Sequence, residues 1–122
     1  KRETNPHSLS NLGTPPLTSL HPLSKTLGAP AGSPLACPGD AAGQAERVMD
    51  NLGAILKEAG SGFDRVVKTT VLLADMSDFG AVNAVYARYF PEGAGPRPAR
   101  ASFAVKGLPL GALVEIEATA VV

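Results

Sequence analysis

The chain has 122 residues, and its 11 basic and 11 acidic side chains give a formal net charge of zero without a run of one sign. This balance argues against a nucleic-acid-binding surface, which needs a concentrated basic face, and no apolar run reaches the roughly eighteen residues of a membrane span. The single cysteine, Cys37, excludes an internal disulfide and suits a reducing compartment, so we expect a one-domain cytoplasmic protein.

Residues 1–39 are rich in proline and serine and have no helical or strand periodicity. Seven of the eleven prolines lie within the first 38 residues. Such a segment buries too little apolar surface to offset its conformational entropy. We therefore predict that 1–39 is a disordered tail and that 40–122 is the folded domain.

The first periodic segment begins at Asp40, which is suited to be a helix N-cap, and Gly60 is suited to end that helix. Apolar residues recur between them at three- and four-residue spacing, as one stripe of a helix: Val48, Met49, Leu52, Ile55, Leu56 and Ala59. Residues 64–75 follow with many β-branched side chains, which predicts a largely buried strand.

Helical spacing returns in 77–90, and Pro91 lies just beyond. After a loop of glycines and prolines, two strands are predicted at about 99–106 and 112–122. Because only the short segment KGLPLG separates them, we expect these two strands to form a hairpin. The order α-β-α-β-β predicts an α+β sandwich with both helices on one face of the sheet.

Three charged residues interrupt the apolar pattern of the last two strands. Alternation places Glu115 and Glu117 opposite the apolar side chains of their strand, and it places Arg100 on one face with Ser102. In a hairpin, Arg100 and the glutamates would share a polar face. The arginine could then bind a carboxylate through two parallel hydrogen bonds, and a glutamate could orient or deprotonate a water. The alternative is a cross-strand ion pair without a ligand.

The predicted folded segment contains no histidine and no cysteine, since His7, His21 and Cys37 all precede Asp40. A Ser-His-Asp triad, a Cys-His pair or a histidine-bound metal would each have to recruit the tail. No P-loop or dinucleotide-type glycine pattern follows a strand. Catalysis by this segment would have to use arginine, glutamate, backbone groups and water.

Several motifs within 41–122 resemble, in order and spacing, those of the RidA/YjgF family of reactive-intermediate deaminases: NLGAILKEAG, VVKTTVLLADMSDFGAVNAVY, PAR and LPLGALVEIEA. The resemblance implies a chorismate-mutase-like (ferredoxin-like) α+β fold and a homotrimer with sites in the clefts between subunits. It also implies hydrolysis of 2-imino and enamine acids, such as 2-iminobutanoate and 2-iminopropanoate, to 2-keto acids and ammonia.

The resemblance also implies roles for individual residues. Arg100, from PAR, would bind the substrate carboxylate, and Glu115, the first glutamate of EIE, would position the attacking water. Glu117 would be structural. Asn83, from VNAVY, would support the cleft as a substrate-binding residue. Ser102 is a candidate substrate-binding residue on the strand geometry instead, because its small side chain on the face of Arg100 leaves room for a ligand. No metal or organic cofactor is implied.

Residues 1–39 lack the segments with which family members begin, of the types I-G-P-Y-S-Q-A and I-S-G-Q-I. We therefore expect the N-terminal strands to be missing or replaced. Either an unrelated segment is joined to a family sequence, or the chain is a divergent member whose N-terminal segment has been remodelled. Two alternatives to a deaminase follow. The chain could be a module that binds a small carboxylate without turnover, or an inactive truncated family member.

Overall fold

The computed structural model of the protein describes residues 39–122. This part of the chain contains two α-helices and three β-strands, in the order α1 (Ala41–Glu58), β1 (Val66–Leu73), α2 (Phe79–Tyr89), β2 (Ala99–Ala104) and β3 (Val114–Ala120). The predicted α-β-α-β-β order is confirmed, whereas the predicted tail lies, apart from Gly39, outside the described residues. In the part of the chain that is described, no helix combines the length and the apolar character needed to cross a membrane.

Helix α1 begins and ends where its sequence predicts. The side chain of Asp40 accepts a hydrogen bond of 2.7 Å from the backbone N–H of Gly43, which satisfies one of the unpaired donors of the first turn. Gly60 follows the helix with φ at 77°, the left-handed conformation that glycine adopts without steric cost. Four residues of the predicted apolar stripe are almost completely buried: Val48, Met49, Leu52 and Leu56.

The sheet has the strand order β2-β1-β3, with β1 parallel to β2 and antiparallel to β3. The predicted hairpin between β2 and β3 is therefore wrong. Parallel neighbours require a crossover connection, and α2 provides it between β1 and β2. The β-branched strand β1 takes the central position, and residues 105–113 carry the chain past it to the other edge.

The two faces of the sheet differ in what covers them. Thr69, Val71 and Leu73 of β1 are buried beneath the helices, together with Ile116 and Ala118 of β3. We call the opposite face the open face. It carries the alternate side chains of each strand: Thr70 and Leu72, Ala101 and Phe103, and Glu115 and Glu117. Phe103 is 48% exposed there, so this face presents apolar surface to solvent within the described part of the chain.

Polar contacts join the outer surfaces of α1 and α2. The hydroxyl of Tyr89 donates a hydrogen bond of 2.7 Å to Asp50, and Arg88 forms an ion pair with Glu46. Burial, followed by the hydrogen bond to Asp50, raises the pKa of Tyr89 to about 12, so the phenol keeps its proton at neutral pH. These contacts add to the buried apolar packing that holds α2 against α1, and α2 in turn positions the site described next.

Candidate active site

Arg100 lies on the helix-covered face of the sheet and is held by three residues of α2. Its Cζ atom is 4.7 Å from the centroid of the Tyr86 ring and 5.7 Å from that of Phe79, within the range of cation–π attraction. Its Nη1 donates a hydrogen bond of 2.6 Å to Oδ1 of Asn83. Positions 79, 83 and 86 share one side of a helix, since they are four and three residues apart. The orientation of Arg100 is therefore built into α2.

A cavity of about 370 Å³ opens beside this arginine, which is large enough for a small organic acid. Polar groups converge on it from α2, from β2 and from the loop between them. The lining residues are Asn83, Tyr86, Ala87, Phe90, Arg97, Pro98 and Arg100. Two of these residues are arginines, so the cavity attracts anions.

Tyr86 forms the buried floor beneath the guanidinium of Arg100. Its hydroxyl lies 2.7 Å from Oγ1 of Thr69, and both residues are buried. Burial raises the pKa of Tyr86, although the hydrogen bond to Thr69 and the positive charges of Arg100 and Arg97 act in the opposite direction. The neutral ring thus keeps its π-face available to the arginine.

We expect Thr69→Val to lower the free energy of unfolding by about 1–3 kcal/mol, because the buried Tyr86 hydroxyl would lose its partner. Tyr86→Phe should destabilise the chain for the reciprocal reason, since it leaves the Thr69 hydroxyl unpaired. The double variant Thr69→Val/Tyr86→Phe should be more stable than the sum of the single effects predicts, because neither polar group is left. Urea unfolding of the four proteins measures this coupling, and strictly additive losses would contradict it.

The two glutamates do not share a face with Arg100, contrary to the prediction. Arg100 pairs with Thr69, whose side chain points toward the helices, whereas Glu115 pairs with Leu72 and Glu117 with Thr70 on the open face. The prediction failed because it placed β3 directly beside β2. In the structure β1 lies between them, and its pairings place Arg100 and Glu115 on opposite faces of the sheet. The sheet therefore separates Arg100 from Glu115 within one chain, and β1 also precludes the alternative of a direct cross-strand Arg–Glu pair.

Of the other predicted site residues, Asn83 contacts Arg100 directly and Ser102 lies on the same face of β2. The Oγ atom of Ser102 is buried and has no hydrogen-bond partner among the described residues. Phe79, Tyr86 and Arg97 belong to the site but were not predicted from the sequence. The spacing of positions 79, 83 and 86 would have indicated that Phe79 and Tyr86 lie on one face of the helix with Asn83. Nothing in the pattern marked Arg97, which lies in the loop before β2.

Comparison with known proteins gives consistent matches. Residues 24–122 match the family described as Endoribonuclease L-PSP. The chain is 56% identical over 84 residues to the 2-iminobutanoate/2-iminopropanoate deaminase of Mus musculus, an alignment that covers 69% of this chain and 60% of that protein. The corresponding deaminase of Rattus norvegicus is 55% identical. This chain therefore spans only 60% and 59% of the length of these curated relatives.

Solved structures share the fold at substantial sequence identity. A putative endoribonuclease L-PSP from Entamoeba histolytica matches with a TM-score of 0.65 and 50% identity, over 70% of this chain and 66% of that one. Escherichia coli TdcF, with bound serine, matches with a TM-score of 0.65 and 36% identity, over 70% and 67% of the two chains. The family match, which reaches further toward the N-terminus than the motifs, and the shared α+β fold show that this chain belongs to the Endoribonuclease L-PSP family, that of the RidA/YjgF proteins.

Proposed function

We propose that this chain contributes the site of a hydrolase that converts 2-imino and enamine acids, such as 2-iminobutanoate and 2-iminopropanoate, to 2-keto acids and ammonia. The observation that carries the proposal is the placement of Arg100, whose guanidinium borders the cavity and is fixed by Asn83 and the Tyr86 ring. The names of the mouse and rat relatives support the reaction. The serine bound in TdcF supports a small carboxylic acid as the ligand.

Arg100 would bind the carboxylate next to the imine carbon. A guanidinium has five N–H donors in a planar fork, and Asn83 occupies a single one of them here. The donors that remain can form the two parallel bonds that a carboxylate accepts. Because the Tyr86 ring restricts the plane of the guanidinium, the bound carboxylate would hold the imine carbon in a defined place.

The reaction needs a water and a group that takes its proton. Water adds to the C=N carbon to give a carbinolamine, whose C–N bond then breaks to give a keto acid and ammonia. A glutamate can accept the proton of the attacking water and return it to the departing nitrogen. We assign this role to Glu115, and we assign to Glu117 a structural role.

Since the sheet separates Arg100 from Glu115 of the same chain, the proposal includes an oligomer. The open face of one subunit would lie beside the cavity of the next, so that the glutamate of one copy completes the site of another. The exposed Phe103 on the open face supports such an association, because apolar surface of this kind favours contact with a partner. A closed ring of three copies is the arrangement we propose.

The deaminase proposal is tested by adding the purified chain to a pyridoxal-phosphate-dependent dehydratase that releases the enamine of 2-iminobutanoate from threonine. We expect 2-oxobutanoate to form faster than it does by spontaneous hydrolysis, in proportion to the added chain. Size-exclusion chromatography with light scattering reports the oligomer in the same sample. A folded trimer that leaves the spontaneous rate unchanged would refute the deaminase. Saturable binding of 2-oxobutanoate without turnover would instead favour a module that only binds carboxylates.

The other activity named by the family description, cleavage of RNA, has less support in this chain. Residues 40–122 contain no histidine, and the whole chain has no net charge. A concentrated basic surface and a general acid–base pair are the features that such an activity would require.

A further inference from the structure

The cavity beside Arg100 contains a second cationic side chain, that of Arg97. Two residues, Pro98 and Ala99, separate the arginines, so their Cα atoms lie no more than about 11 Å apart. Both positive charges act on the buried Tyr86 and lower its pKa against the effect of burial. Two separate groups thus direct their charge into one small cavity.

With a substrate that has one carboxylate, Arg97 keeps its pairing with Glu92 and has no anionic group of the ligand to bind. One guanidinium satisfies a single carboxylate through two parallel hydrogen bonds, and Arg100 is the better fixed of the two because Asn83 and Tyr86 hold it. A second guanidinium on the same cavity adds repulsion between like charges unless a second anionic group lies between them. The arrangement therefore favours a ligand with two negative charges.

The present partner of Arg97 is easily displaced. Nη2 of Arg97 lies 3.3 Å from Oε1 of Glu92, and the side chains are 51% and 89% exposed, respectively. Exposed pairs of this kind contribute little to stability, because water and salt screen them. An anionic group of a ligand can therefore replace Glu92 at low cost.

We propose that Arg97 determines substrate specificity and that the site accepts 2-imino dicarboxylic acids. Arg100 binds the carboxylate next to the imine carbon, and Arg97 binds the distal carboxylate. The inference rests on the proposed function and extends its substrate class. The reaction is the same: water adds to the C=N carbon, ammonia leaves, and both carboxylates are unchanged.

The test compares two ligands of equal carbon number, 2-oxoglutarate and 2-oxopentanoate, which differ in having a carboxylate or a methyl group at the distal end. Isothermal titration of the 122-residue chain should give an affinity about fivefold higher for 2-oxoglutarate at low salt. Arg97→Gln should remove that preference, because it weakens the binding of 2-oxoglutarate about fivefold more than that of 2-oxopentanoate. Glu92→Gln is the matched variant, and it should increase the preference because it removes the competing carboxylate.

Kinetics with the two corresponding imines, generated in situ by oxidation of glutamate and norvaline, should show the same ratio in kcat/KM. Equal affinities for the two ligands, or a preference that survives Arg97→Gln, would overturn the inference. The proposed hydrolysis of 2-iminobutanoate would not be affected by that result. Failure to hydrolyse any imine would refute the deaminase instead, while the titrations would still decide whether Arg97 selects a second carboxylate.

Discussion

Replacing Arg100 with alanine should lower kcat/KM for 2-iminobutanoate by about a hundredfold. The substrate carboxylate would lose both charge-assisted hydrogen bonds, and the reacting carbon would no longer be held in a fixed position. Arg100→Lys should lose less activity than Arg100→Ala but should not restore the wild-type rate, since an ammonium supplies charge without the planar fork. The coupled dehydratase assay measures both effects.

The matched control for these variants is Arg47→Ala, which removes the same side chain from an exposed position of α1 outside the cavity. We expect it to retain wild-type kinetics. Circular dichroism should show that all three variants keep the fold, because Arg100 is an exposed residue whose hydrogen bond and cation–π contacts are all with residues of one helix, α2. Full activity of a folded Arg100→Ala protein would exclude Arg100 as the carboxylate-binding residue.

The second prediction concerns the separation of Arg100 and Glu115 by the sheet. Glu115→Gln should lower the rate by about a hundredfold, since the amide cannot accept a proton from water. Co-expression of Arg100→Ala with Glu115→Gln should nevertheless restore activity. In a randomly mixed ring, about a quarter of the sites would combine an intact Arg100 from one subunit with an intact Glu115 from the next.

The control for this complementation is co-expression of Arg100→Ala with the double variant Arg100→Ala/Glu115→Gln. No site in such a mixture contains Arg100, so its activity should stay at the level of Arg100→Ala alone. If the first mixture were as inactive as its two components, a site shared between subunits would be ruled out. Activity of Glu115→Gln close to wild type would remove that glutamate from the mechanism.

Much of the fold could be predicted from local patterns. The stripe through Val48, Leu52 and Leu56 predicts the buried side of α1, and the side chain of Asp40 caps that helix as expected. These features depend on residues within a few turns of one another. The pairing of strands depends on residues that are far apart in the chain. The short segment between β2 and β3 suggested a hairpin that the structure does not contain. The helix between β1 and β2 was the better guide, because it permits a parallel pair.

The site was only partly predictable for the same reason. The arginine of the PAR motif was identified from the sequence, but its surroundings depend on which face of the sheet it occupies. That face is set by the pairing of Arg100 with Thr69, a residue 31 positions earlier in the chain. Tyr86 and Arg97 became recognisable as neighbours of Arg100 only once α2 and its following loop were placed over the sheet.

The central position of β1 also determines how this domain can fold. One edge of β1 pairs with β2, which follows it in the chain after α2. The other edge pairs with β3, so that Val66 lies opposite Ala120 near the far end of the described chain. Contacts between such distant residues carry a large loop-closure entropy and slow the search for the native state. One edge of β1 therefore stays unpaired until β3 has docked. A chain that stops before β3 would expose an apolar strand and its unpaired edge, which favours aggregation over folding.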